Sequence, residues 1–190
     1  MILLIIGLIL FLGSHSVSML AYGWRTRMVA KVGDKAFQGV HSLIALVGFI
    51  LLIWGYGLAR QEPVLLYTPP MWLMHSAWLL MLPVFPLFFA AYLPGRIQAA
   101  AKHPMLAAVK IWAFAHLLSN GNLADVILFG AFLIWAVADR ISLKYRPATP
   151  VNGAPPSKYN DLIAIVLGLL VYTAFIFWLH GWMFGIPLLK

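Results

Sequence analysis

The chain has 190 residues, of which 63% are hydrophobic and 9% charged. A soluble domain is about half apolar with about a quarter of its residues charged, so soluble enzymes, secreted scaffolds and disordered chains are excluded. Thirteen Lys and Arg against five Asp and Glu give a formal charge of +8, but the bases flank apolar runs and read as topology signals, so the expected partner is a lipid bilayer and no nucleic acid. The chain has no cysteine, which rules out disulfides, thiolate metal sites, iron–sulfur clusters and c-type haem attachment.

Six segments come near the ~20 apolar residues that cross a hydrocarbon core. Together they predict an all-α integral membrane bundle of about six transmembrane helices. The first, Ile2–Tyr22, carries His15 between Ser14 and Ser16. It lacks a basic leading region and runs into a basic connection, so it is expected to be a retained anchor rather than a cleaved signal. The second, Val40–Ala59, opens with His41, and the third, Met71–Leu93, holds His75 near one end and Pro83 and Pro86 inside it. Those prolines predict a kink.

The fourth segment, His103–Leu118, begins with His103-Pro104, a proline position suited to a first helical turn. At 100° per residue Trp112, Ala113, His116 and Asn120 share one face. There a small residue lies beside an imidazole, and a flat prosthetic group has room to approach. Lys110 lies on the opposite face, with a stem long enough to snorkel to the surface. Ser119-Asn120-Gly121-Asn122 reads as a turn leading to the fifth segment, Leu123–Ile141, which has Asp125 and Asp139 near its two ends. The stretch 144–160 contains Pro147, Pro150, Gly153, Pro155 and Pro156 and reads as a flexible linker within a single membrane domain spanning 1–190. The sixth segment is Asp161–Phe184, with His180.

Arg25, Arg27, Lys31 and Lys35 occupy the first connection, Arg96 and Lys102 the third, and Arg140, Lys144, Arg146 and Lys158 the fifth; Arg60 and Lys190 lie opposite. This asymmetry predicts cytoplasmic odd-numbered connections and both termini outside. At 1.5 Å per residue His41 and His103 fall near the inner boundary and His15 roughly 10 Å deep, while His75, His116 and His180 belong to the outer third. A polar ring at membrane depth needs a partner or a function. For His15 and His116 the residues alone leave open both an interhelical hydrogen bond and a metal-ligand role.

The first span with His15, Gly39-Val40-His41-Ser42-Leu43, Trp54-Gly55-Tyr56, His103-Pro104-Met105, the run Lys110-Ile111-Trp112-Ala113-Phe114-Ala115-His116-Leu117-Leu118-Ser119-Asn120-Gly121-Asn122 and Leu128-Phe129-Gly130 together resemble the NnrU family. The resemblance covers nearly the whole chain to about Arg146 and implies a multi-pass bacterial inner-membrane protein associated with denitrification through nitrite and nitric oxide metabolism; with the charge asymmetry, both termini are then expected to be periplasmic. That family is also similar to plant zeta-carotene isomerase, a membrane protein that binds b-type haem. Carried over residue by residue, the resemblance implies haem b with His15 and His116 as metal ligands and Trp112 and Ala113 beside it, for redox or isomerase-like chemistry. His75, which agrees better with His116 in depth, is the alternative to His15. The isomerase has a cysteine where this chain has Ala113, and a further histidine that falls at Trp135, so a cysteine-dependent ligand switch is not implied here. The competing expectation is a cofactor-free membrane protein of assembly or regulation that engages other membrane proteins.

Overall fold

The computed structural model describes residues 1–147 and 152–189. Pro150 of the expected linker and Lys190 of the topology reading lie outside the described residues. The chain is built from helices: α1 (Ile2–Leu20), α2 (Tyr22–Val32), α3 (Asp34–Ala59), α4 (Met71–Met81), α5 (Val84–Ala90), α6 (Arg96–Ala101), α7 (Pro104–Ser119), α8 (Leu123–Ser142), α9 (Asn160–Ala174), a π-helical turn (Phe175–Leu179) and α10 (His180–Phe184). The all-helical membrane class is as the sequence predicts. Among the described residues, four stretches are long and apolar enough to cross a bilayer: Ile2–Leu20, Asp34–Ala59, Met71–Ala90 and Asn160–Phe184. Of the other two expected spans, α7 is apolar with 16 residues, about 24 Å of helix against a core of about 30 Å. The other, α8, has 20 residues and carries Asp125, Asp139 and Arg140.

The sequence-expected kink falls at Leu82-Pro83, where α4 ends and α5 begins. Pro83 has no N–H to continue the ladder, and its carbonyl takes the first bond of the new helix from Leu87 N, at 2.9 Å. At the head of α7, Pro104 occupies the first position and His103 O accepts from Ala107 N at 3.1 Å.

The chain forms two compact units, one of Met1–Pro69 with the chain from Asn120 through α8, the other of Pro70–Ser119 with the C-terminal helices. In the first, α1 and α3 are antiparallel and meet along small residues. Gly48, Leu52, Gly55 and Ala59 are the buried stripe of α3, and Leu4, Gly7, Leu8 and Ser16 that of α1. Gly7 lies on the Leu52 backbone, Gly55 on that of Leu4, and a Cβ on Gly48 would meet Phe11 N at 2.6 Å. Such close approach replaces the hydrophobic drive that is missing between helices in lipid. Large side chains point outward instead: Ile9, Val40, Leu43, Leu46, Ile50 and Ile53 are exposed, as suits acyl chains around them.

α8 joins this pair through the indole of Trp135, which donates to Ser16 Oγ at 3.2 Å, and through Phe132, 5.8 Å from Phe11. At the far end the connection after α3 clamps the turn before α8. Leu66 N and Tyr67 N donate to Gly121 O at 2.8 and 3.2 Å, and Leu123 N donates to Val64 O at 2.8 Å. Gly121 lies so close to the Tyr67 carbonyl that a side chain there would overlap it.

In the second unit α5 packs on α7 and α9, and α4 on α7. Gly168 of α9 is seated on the Pro86 ring, a Cβ there lying 2.6 Å from its Cγ. The Tyr172 hydroxyl donates to Trp78 O at 2.9 Å, and Phe85 lies 5.1 Å from Phe175. The start of α9 organises the neighbouring loops. Asp161 accepts from Arg96 N and Ile97 N at 2.9 and 3.0 Å, and Asn160 Nδ2 donates to Pro94 O and Pro155 O at 2.8 and 3.1 Å. Within the segment read as a linker, Ala154 N donates to Tyr92 O at 2.8 Å.

Candidate histidine sites on the first and seventh helices

His15 sits two-thirds of the way along α1, in a turn rich in hydroxyls. Its Nδ1 lies 2.7 Å from Phe11 O, one turn back on the same helix. A carbonyl can only accept, so Nδ1 carries the proton and Nε2 is the basic nitrogen. Ser14 Oγ also donates to Phe11 O, at 2.8 Å, and Ser16 Oγ to Leu12 O, at 2.6 Å. Mid-membrane hydroxyls are thus satisfied by the helix itself.

Three rings surround His15. Phe11 is 4.5 Å away by centroid, His41 of α3 is 5.1 Å away at 68°, and Trp135 of α8 stands edge-on at 6.2 Å and 89°. Phe11, His15, His41, Ser42, Ala45, Leu46 and Phe49 line an open groove of about 430 Å³. Its walls are apolar and aromatic, and its polar groups are two imidazoles and one hydroxyl. The place of His41 follows from the α1–α3 register. With Leu4 against Gly55, Gly7 against Leu52 and Phe11 against Gly48, each turn up one helix is a turn down the other, and His15 arrives within a turn of His41. Depth puts both on the inner side, roughly 10 Å apart, and the small-residue stripe that fixes their register is visible in the sequence. Trp135 of α8 faces this same ring.

In the other unit His116 of α7 repeats the device. Its Nδ1 is 2.8 Å from Trp112 O, and the Trp112 ring lies 5.3 Å from the imidazole. The own-helix carbonyl again fixes the tautomer with Nε2 as the basic nitrogen. Trp112 and His116 are partly exposed, whereas Ala113 is completely buried. The small residue expected to admit a flat ring is therefore packed within its own unit, which includes the helices α4 and α5 against α7. His75 is exposed on α4, with its ring 5.4 Å from Trp78. His180 bonds through Nδ1 to Ile186 O at 2.8 Å in the C-terminal segment.

Among the described residues no group of three or more His, Asp or Glu side chains could hold a metal ion. A bare ion would have an incomplete donor set. A porphyrin brings four nitrogens of its own and asks the protein for one or two axial ligands, so imidazoles with a fixed tautomer and apolar aromatic walls suit it better.

Small residues along the helix seams, aliphatic side chains turned outward and satisfied polar groups at depth define a polytopic helical membrane protein. Its sequence matches the family model described as NnrU protein over residues 3–188, nearly the whole chain, and the protein belongs to that family. No curated protein and no solved structure matches it.

Proposed function

We propose that this NnrU-family protein is a bacterial inner-membrane component of denitrification, with both termini periplasmic, which carries b-type haem on histidine nitrogen for redox or isomerase-like chemistry in nitrite and nitric oxide metabolism. His15 and His116 are the ligand residues. The observation that supports this reading is the shared orientation of the two rings. Each gives its Nδ1 proton to the carbonyl four residues earlier on its own helix, at 2.7 and 2.8 Å, which holds the imidazole in the tautomer that ligates through Nε2. Metal-binding histidines are typically oriented in this way by a backbone carbonyl.

The surroundings support it further. Phe11 and Phe49 wall the groove beside His15, and Trp112 flanks His116. Bound there, haem would supply a one-electron iron couple, its potential set by the imidazoles and by the apolar surroundings. The asymmetry of Lys and Arg between alternate connections supports the orientation.

The test is the absorption spectrum of the detergent-solubilised protein made with an ample haem supply. A Soret band is expected, with less haem retained in His15→Ala and in His116→Ala than in the wild type. A folded protein with no Soret band after haem supplementation would leave the cofactor-free assembly or regulatory reading in its place. Impaired nitrite or nitric oxide reduction in cells lacking the protein is the physiological counterpart.

A further inference from the structure

α2 is held between two membrane spans. The helical path breaks at Ala21, with φ −137° and ψ 44°, and again at Gly33, with φ +86°. Its 11 residues rise about 16 Å, too short to cross a bilayer, and both its ends are tied to helices that do cross. It is therefore not itself a span. It buries no residue in the protein, so its surface is offered to something else.

That surface is two-sided. Trp24, Met28 and Val32 recur at i, i+4 and i+8 and form one stripe, with Trp24 48% and Val32 45% exposed. Arg27 and Lys31 form the adjoining stripe at the same spacing. The guanidinium of Arg25 lies 5.5 Å over the Phe37 ring, against which Trp24 also rests at 6.4 Å; Lys35 follows at the start of α3. The nearest acid in sequence, Asp34, accepts from Gln38 Nε2 at 2.6 Å. Arg25, Arg27, Lys31 and Lys35 form no ion pair among the described residues, where Arg146–Asp139 is the pair observed.

We infer that α2 is an in-plane interfacial helix that binds anionic phospholipid headgroups, Trp24, Met28 and Val32 entering the acyl boundary while Arg25, Arg27, Lys31 and Lys35 collect lipid phosphates. A helix with an aromatic-aliphatic stripe beside a basic one takes this position, and clustered cations next to a span attract acidic lipid at about 1 kcal/mol, or roughly fivefold, per charge. The inference is independent of any haem.

The full chain is reconstituted in phosphatidylcholine bilayers at low salt, and electron spin resonance compares spin-labelled phosphatidylglycerol with spin-labelled phosphatidylcholine at its surface. The wild type is expected to favour phosphatidylglycerol several-fold. The preference should fall close to unity in the Arg25→Gln, Arg27→Gln, Lys31→Gln, Lys35→Gln variant, weaken at high salt, and persist in the charge-conserving Arg25→Lys, Arg27→Lys variant. Helical content by circular dichroism shows that each variant remains folded. The inference is overturned if the neutralised, folded variant keeps the preference, if Lys144→Gln, Lys158→Gln abolishes it equally, or if millimolar inorganic phosphate displaces it as a free-anion site would. Absence of any preference in the wild type also overturns it and leaves these cations to an acidic protein.

Discussion

Tyr56 of α3 donates its hydroxyl to Asp125 of α8 across 2.6 Å. Asp125 is 3% exposed, and its other oxygen accepts from Asn122 Nδ2 at 3.1 Å and Asn122 N at 3.4 Å. One buried carboxylate thereby ties the end of α3 to the first turn of α8, where the helix dipole also favours negative charge. Tyr56→Phe removes one donor and leaves a buried oxygen short of a partner. Hydrogen bonds to charged groups contribute about 1.5–3 kcal/mol, so the variant is expected to be destabilised by that order, measured by unfolding in a fixed detergent. Stability equal to wild type would show that water replaces the phenol.

The seam between α1 and α3 makes a sharper contrast. Gly55 lies directly on the Leu4 backbone, whereas a Cβ at Gly57, two residues on, meets nothing within 4 Å. Gly55→Ala has to push the helices apart. Overpacking of this kind costs about 1–3 kcal/mol and should lower the unfolding temperature and the yield of folded protein. Gly57→Ala, on the open face of the same helix, should match or slightly exceed the wild type, since alanine is the better helix former. Similar melting for the two variants would contradict the seam.

The membrane class, the long apolar helices and the break at Pro83 were legible because they depend on local quantities: hydropathy over about 20 residues and a missing amide proton. α2 and α6 were not, because each is short, carries at least one base and contributes no buried residue; a window tuned to spans passes over them as loop. Nor was the ion pair of Asp139 with Arg146, 2.5 Å away and seven residues on, with Ser142 bridging. That spacing is two helical turns and leaves the helix at its end, so helical i+4 logic stops short of it. Of the candidate site, depth marks His15 and His116 as polar rings needing a partner and the family resemblance pairs them, but the neighbour of His15, His41, depends on the register between two helices. The carbonyls that fix both tautomers depend on rotamers, to which sequence spacing is blind.

The segment 152–160 offers a test of how firmly the second half of the proline-rich stretch is held. Asn160 is 3% exposed, and its Nδ2 bridges Pro94 O and Pro155 O, while Ala154 N donates to Tyr92 O. Prolines lack donors, so carbonyls on both sides depend on one amide. Asn160→Ala orphans two acceptors and is expected to loosen the loop before it unfolds any helix. Hydrogen exchange should show the Ala154 amide protected in the wild type and exchanging at least several-fold faster in the variant, with α9 amides little changed. An Ala154 amide that exchanges freely in the wild type would remove the bridge as an organiser.

Tyr67, in the connection between α3 and α4, provides a pH-dependent signature. Burial, and then the nearby charge of Asp125, hold its phenol above the ordinary tyrosine range, and its hydroxyl donates to Asn120 O at 2.8 Å. The unfolded chain releases this proton near pH 10, and the folded chain keeps it to higher pH. Between those two values the native state binds more protons, so stability falls as pH rises through the window and is fully present below it. Tyr67 is 39% exposed, so solvent screening keeps the effect modest. Tyr67→Phe loses the bond to Asn120 and should start from a lower stability at neutral pH. It should then lose less than the wild type as the pH rises above about 10, so that the two curves converge. Unfolding of both proteins across that range, in one detergent at constant ionic strength, is the measurement. Parallel curves would mean that the Tyr67 phenol titrates alike in the folded and unfolded chains.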